Sequence, residues 1–275
     1  MASRRQPLIA AVLVLAWHVA ADEGYAQDPA PPSIATSPFL QHMPVNSERR
    51  CVGVCAVSQA LLQASPRQET DPAGNAAPAD ATALARIIYE GLAGGGPRVY
   101  PAIVQVDGES RPIDSPEALN QLSTLVTDLY QADYDRVTAS PAASHRLALA
   151  QRRFVQDQVA LRQLLERDPD RTMMFIGTGQ RTFPGGEIRP TYHAFLLTLD
   201  RDGQVSVFDP NAPGRPWEPM LRDTPGGLTV AWSSPYRDTG ETTRQRYRIA
   251  AQQQYFRTLF ASVRALGGGP VPVTP

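Results

Sequence analysis

Residues 193–214, HAFLLTLDRDGQVSVFDPNAPG, decide the fold. Two runs of strand-forming residues flank Asp200-Arg201-Asp202-Gly203, a turn signal with glycine where a positive φ is wanted. Folded as a hairpin with its turn centred on Arg201 and Asp202, the segment sets His193 opposite Pro210 and beside Asp209. An imidazole and a carboxylate then emerge at the same end of adjacent strands. A general base needs such a carboxylate to fix its tautomer and to steady the imidazolium. Singly, His193 reads as an edge-of-sheet histidine and Asp209-Pro210-Asn211 as a loop cap, and the hairpin is what makes them a pair. Of the other histidines, His18, His42 and His145 have no comparable partner.

Around this hairpin the strand period recurs at 172–176, 192–199, 204–208 and 228–232. Upstream the period is helical: 47–62, stopping at Ser65-Pro66, then 81–92, then 115–130 with Ser115 as N-cap before Pro116 and Glu117, then 145–166. A last helix is expected at 243–266. Helices first and a mostly antiparallel sheet second make an α+β fold, with the first helix packed on the later sheet. Residues 67–80 read as a polar loop.

A His/Asp pair calls for a nucleophile, and the chain has two cysteines, Cys51 and Cys55, at the start of the first expected helix. Helix N–H groups and a protonated imidazole both favour a thiolate there. Two cysteines are too few for a disulfide scaffold, and an i,i+4 pair is poorly aimed for a bridge. Read from Cys51, the positions three and four along are Val54 and Cys55, which suit a core. Read from Cys55 they are Ser58 and Gln59, which do not. Gly53, two places before Cys55, argues the other way. The choice between the two stays open at this level.

Cys51-Val52-Gly53-Val54 resembles the C-x-G-L signature of YopT-type bacterial cysteine proteases, and the later stretch resembles their H-A…F-D-P-N. The papain alternation of large and small residues also fits 51–55. The resemblance spans about a dozen residues at the cysteine and about twenty at the hairpin. It implies a papain-like fold, a Cys/His/Asp triad of Cys51 or Cys55 with His193 and Asp209, and a virulence role in cleaving host proteins. Such effectors are injected without a signal peptide, which is where this chain departs from them. Glutamine deamidation or acyl transfer would use the same triad, and a non-catalytic secreted binding module would keep only the fold.

Arg4 and Arg5, the apolar run 8–21 and small residues beyond it read as a secretory signal peptide over 1–26. A Pro-rich leader is expected at 27–45, the cysteine protease domain at 46–266 and a flexible tail at 267–275. The mature chain is then expected outside the membrane, secreted or periplasmic, as a monomer meeting a protein substrate. A net charge of -1 and a pI near 6.4 argue against a nucleic-acid partner. All 26 basic residues are arginine. A GC-rich genome accounts for that, and a chain without ubiquitin acceptor sites would also be served by it.

No cofactor or metal is expected. The paired acids at 133/135, 168/170 and 200/202 lack calcium-loop spacing, and the glycines at 177–179 and 185–186 read as loops that open no helix. The amides Asn46 and Gln41 lie near enough to the cysteines to be weighed for an oxyanion hole, but Asn46 reads more readily as an N-cap.

Overall fold

The computed structural model describes residues 37–45, 50–63, 79–94, 100–236 and 240–267. The expected signal peptide, most of the loop 67–80, Asn46 and nearly all of the tail lie outside the described residues. The fold is α+β. Helix α1 (Cys51–Gln63) and α2 (Ala81–Gly91) lead to α3 (Pro116–Thr138), α4 (Pro141–Gln151) and α5 (Gln158–Arg167). Strands β4 (Thr172–Thr182), β5 (Ile188–Leu199), β6 (Val205–Phe208), β7 (Met220–Arg222), β8 (Thr229–Pro235) and β9 (Thr242–Ala251) follow, and α6 (Gln252–Ala265) ends the fold. A separate small sheet, β1 (Ala79–Asp80), β2 (Ile103–Val106) and β3 (Glu109–Pro112), is turned by Asp107-Gly108, both at positive φ.

The large sheet has the order β6-β5-β4-β9-β8-β7 and is antiparallel throughout. Trp217 bridges back to Val207 on the outer edge of β6, just before the chain enters β7 at the opposite edge, so the sheet curls toward closure. Two cores result. Met174, Ile176, Ala194, Leu196 and Phe208 pack with α1, α2, α3 and α6. Phe175, Phe195, Leu197, Trp232, Tyr247 and Ile249 fill the inside of the curl with Leu161 and Leu165 of α5. The alternation of strand side chains divides neighbours in sequence between these cores.

Local chemistry explains the helix starts. Ser115 accepts from the Ala118 N–H and Asp157 from the Ala160 N–H, and Pro116 and Pro141 occupy first turns. The structure corrects four expectations. The helix expected at 145–166 is two helices, broken where the Val155 N–H bonds the Ile249 carbonyl and the Val155 carbonyl accepts from Leu228. The helix expected at 243–266 begins as a strand: Thr243, Gln245, Tyr247 and Ile249 are buried while Arg244, Arg246 and Arg248 are exposed, which is a period of two. Gly177 to Gly179 lie inside β4 and not in a loop. The fold also reaches back before Asn46, because Leu40 and Met43 are buried in the first core at 3% exposure each.

Candidate active site

The hairpin of β5 and β6 is one residue off the expected register. Leu196 faces Phe208 and Leu197 faces Val207, so the pairing continued would set Phe195 against Asp209 and His193 against Asn211. Asp200 and Gln204 still pair, leaving a three-residue connection in which Gly203 takes φ 77°. That extra left-handed glycine moves the register by one. The consequence is large, since directly opposed residues share a face and the side chains alternate. In the observed register His193 and Asp209 lie on the same face.

Their contact is direct: His193 Nε2 and Asp209 Oδ1 are 2.9 Å apart, with both side chains buried. Asp209 accepts further hydrogen bonds. The Asn211 backbone N–H and side-chain amide donate to Oδ1, and Trp232 Nε1–H at 3.0 Å, the Ser234 hydroxyl at 2.8 Å and the Gln245 amide donate to Oδ2. Burial opposes the charge on Asp209. The hydrogen bond and charge of His193, the Asn211 N–H and Trp232 outweigh it and hold the carboxyl well below the usual range. His193 lies against Phe195, Trp232 and Tyr247, with ring centres 5.7–6.4 Å away. Gly177, opposite His193 on β4, keeps the space in which those rings close, for a Cβ there would stand 2.9 Å from both Phe195 and Tyr247.

Cys51 opens α1 and is the one member of the group not fully buried. Its thiol lies within reach of His193, whose Nε2 is already turned to Asp209. Burial pushes the Cys51 pKa up, yet the bond and charge of His193, with the N–H groups of Ala194 and Val52, bring it below its ordinary 9.0. Burial likewise lowers the His193 pKa, and the bonds to Asp209 and Cys51 with their charges raise it to about 9. The arrangement favours a thiolate beside an imidazolium.

Cys55 is placed differently. It is fully buried one turn along α1 and donates its thiol hydrogen to the Ala194 carbonyl at 3.3 Å. Burial, then the charges of Cys51 and Asp209, push its pKa well up, so it stays a thiol. The periodicity argument for choosing between the cysteines does not hold, because α1 is buried on nearly every side from Val52 to Ala60. Ser58 and Gln59 are core residues after all: Ser58 bonds the Val54 carbonyl, and the Gln59 amide oxygen accepts from the Met174 N–H. Gly53 has its own reason, since a Cβ would meet the Ser123 carbonyl oxygen at 2.1 Å where α1 crosses α3.

Asn46 lies outside the described residues, and Gln41 sits exposed in a 3-10 turn (Pro38–Gln41). Among the described residues the first bond of α1 is Val54 N–H to the Arg50 carbonyl, and the Val52 N–H, one residue into the helix, faces the Cys51 sulfur. Trp232, Ser234 and Gln245 escaped the sequence reading. Gln245 fell in a stretch read as helix, although its alternation with Arg244 and Arg246 carried the strand signal. Among the described residues no three His, Cys, Asp or Glu side chains group as metal ligands, and no helix is long and apolar enough to cross a membrane. A cavity of about 390 Å³, lined by Gln59, Gln63, Tyr100 and Gln252, lies at the far end of α1, and none of the four candidates lines it. Set against protein-family models, curated proteins and solved structures, the chain matches none.

Proposed function

We propose that this chain is an exported bacterial cysteine peptidase of papain-like design, with Cys51 as nucleophile, His193 as general base and acid, and Asp209 as the group that orients His193. The observation that supports it most is the buried His193–Asp209 hydrogen bond at 2.9 Å, with the Cys51 thiol within reach of the same imidazole. A helix that begins at the cysteine and packs on an antiparallel sheet, with histidine and carboxylate on adjoining strands, agrees with the YopT-type resemblance. In this reading the thiolate attacks an amide carbonyl and the imidazolium gives its proton to the leaving amine. The thioester is then hydrolysed by water that His193 deprotonates. In the same reading, N–H groups at the start of α1 would receive the developing oxyanion.

The test is labelling by a fluorescent iodoacetamide. Cys51→Ala should abolish fast labelling and Cys55→Ala should retain it, while His193→Ala should slow it. Fast labelling that survives Cys51→Ala would overturn the assignment.

A further inference from the structure

One face of the large sheet changes character partway along its strands. Ala194, Ile176 and Ala250 stand opposite one another across β5, β4 and β9; all three are buried, Ala194 and Ile176 within the core shared with the helices. Two residues along each strand the face is open. Tyr192 is 68% exposed, and across the same row lie Arg248 and, on β7, Arg222. The next row carries Arg246 and Met220, the latter 63% exposed, and the one after it Arg244 and Ile188, the latter 56% exposed. Opposed residues and residues two apart share a face, so these side chains form one surface.

The surface is cationic. Arg222, Arg244, Arg246 and Arg248 are all exposed, none forms an ion pair among the described residues, and none of the residues at these face positions is acidic. Arg248 is steadied over the Phe154 ring at 5.2 Å. The surface also adjoins the reactive group. Ala194, whose N–H faces the Cys51 sulfur, lies a single step of two residues along β5 from the first open row, at Tyr192. On β9 the arginines recur every second residue, roughly 7 Å apart, which is the repeat of the side chains on one side of any extended peptide.

We propose that this arginine face docks an acidic, extended segment of the protein substrate, a reading that rests on Cys51, His193 and Asp209 being the reactive centre. Carboxylates at alternate positions of the segment meet Arg244, Arg246 and Arg248, while Tyr192, Ile188 and Met220 cover its apolar side chains. The matching repeat and the continuity with Cys51 favour a peptide over an anionic lipid surface.

The experiment uses the full chain with Cys51→Ala and two fluorescent peptides, one alternating Glu and Ser and the other alternating Gln and Ser. The Glu peptide should bind roughly tenfold more tightly at low salt, and added salt should erase the preference. The combined variant Arg244→Gln, Arg246→Gln, Arg248→Gln should lose the preference while its circular dichroism stays that of the parent. Should that variant misfold, each single substitution is expected to remove part of the preference. Equal binding of the two peptides, or a preference unchanged by the arginine substitutions, overturns the proposal. So does arginine-dependent sedimentation with phosphatidylserine vesicles in the absence of any peptide preference. Labelling of the Cys51 form separates the two readings. Fast labelling without a peptide preference removes the docking face alone. A preference with no fast labelling removes the reactive centre, and with it the claim that the bound segment is substrate.

Discussion

Cys55 donates its thiol hydrogen to the carbonyl oxygen of Ala194, the residue whose N–H faces the sulfur of Cys51. The two cysteines thus hold the two backbone polar groups of one residue on β5, past the point where β6 has ended at Phe208 and ceased to pair with it. Cys55 fastens the helix and Cys51 stands at its open end. We expect Cys55→Ala to lower stability by about 1–2 kcal/mol through the lost contact and the void. It should leave iodoacetamide labelling of Cys51 within a few-fold of the parent. Thermal melting and labelling rates on the same preparation check both parts.

Asp209 sets the state of its neighbours through the charge it keeps in a buried site. Asp209→Asn would remove that charge and place an amide among hydrogen-bond donors. On the proposed function, peptidase activity should fall by about 10²-fold or more, with stability reduced by about 1–3 kcal/mol. Gln245→Leu, which removes one donor and keeps the charge, should cost less of both. A larger loss from Gln245→Leu than from Asp209→Asn would contradict the role given to the carboxylate.

The pH dependence follows from two shifts. Cys51 lies below its ordinary 9.0, so labelling should already be near its plateau at pH values where an exposed thiol reacts slowly. His193 holds its proton up to about 9, and in the proposed mechanism that proton goes to the leaving amine, so cleavage should fall as pH rises through about 9. Asp209→Asn withdraws the charge that raises the His193 value, and the alkaline limb should move to lower pH. An alkaline limb that stays in place after that substitution would refute the coupling.

Gly53 is where α1 comes closest to α3. In Gly53→Ala the new Cβ would sit 2.1 Å from the Ser123 carbonyl oxygen and 2.3 Å from the Thr127 hydroxyl. Neither the backbone nor a hydroxyl already bonded to Ser123 yields easily. The helix must move, at a cost of about 2–3 kcal/mol. Because Cys51 lies two residues earlier, the same substitution should slow its labelling, whereas Gly185→Ala, in open space, should not. Calorimetry and labelling together test this.

Much of this was legible in the chain, and the reasons for the rest are physical. Ser115 reads as a helix start because its hydroxyl caps a helix four residues away at most, a local interaction. His193 and Asp209 can be paired because a short turn joins them, although that turn is one residue longer than its sequence signal suggests. The donors around Asp209 could not be read in this way. Trp232, Ser234 and Gln245 reach it only through the order of the strands, and nothing near Asp209 in sequence records that order. The break before α5 is similar, since Val155 leaves the helix to pair with Ile249. The misread start of β9 was legible, for its arginines alternate with buried residues, but the long run of helix-forming residues behind it set the wrong period.

The connection Arg201-Asp202-Gly203 closes the hairpin with Asp200 paired to Gln204, and from there the count of residues to Asp209 carries information of a digital kind. Odd-numbered residues of β5 share a side with odd-numbered residues of β6. Deleting one residue between Gln204 and Asp209 would reverse that parity and turn Asp209 away from His193, with Cys51, His193 and Asp209 all still in the sequence. Shortening the connection itself by one residue leaves the same pairs facing one another. Length variants of this hairpin should therefore keep or lose the His193–Asp209 contact according to where the change falls and whether it is even or odd, a property that no inventory of site residues would reveal.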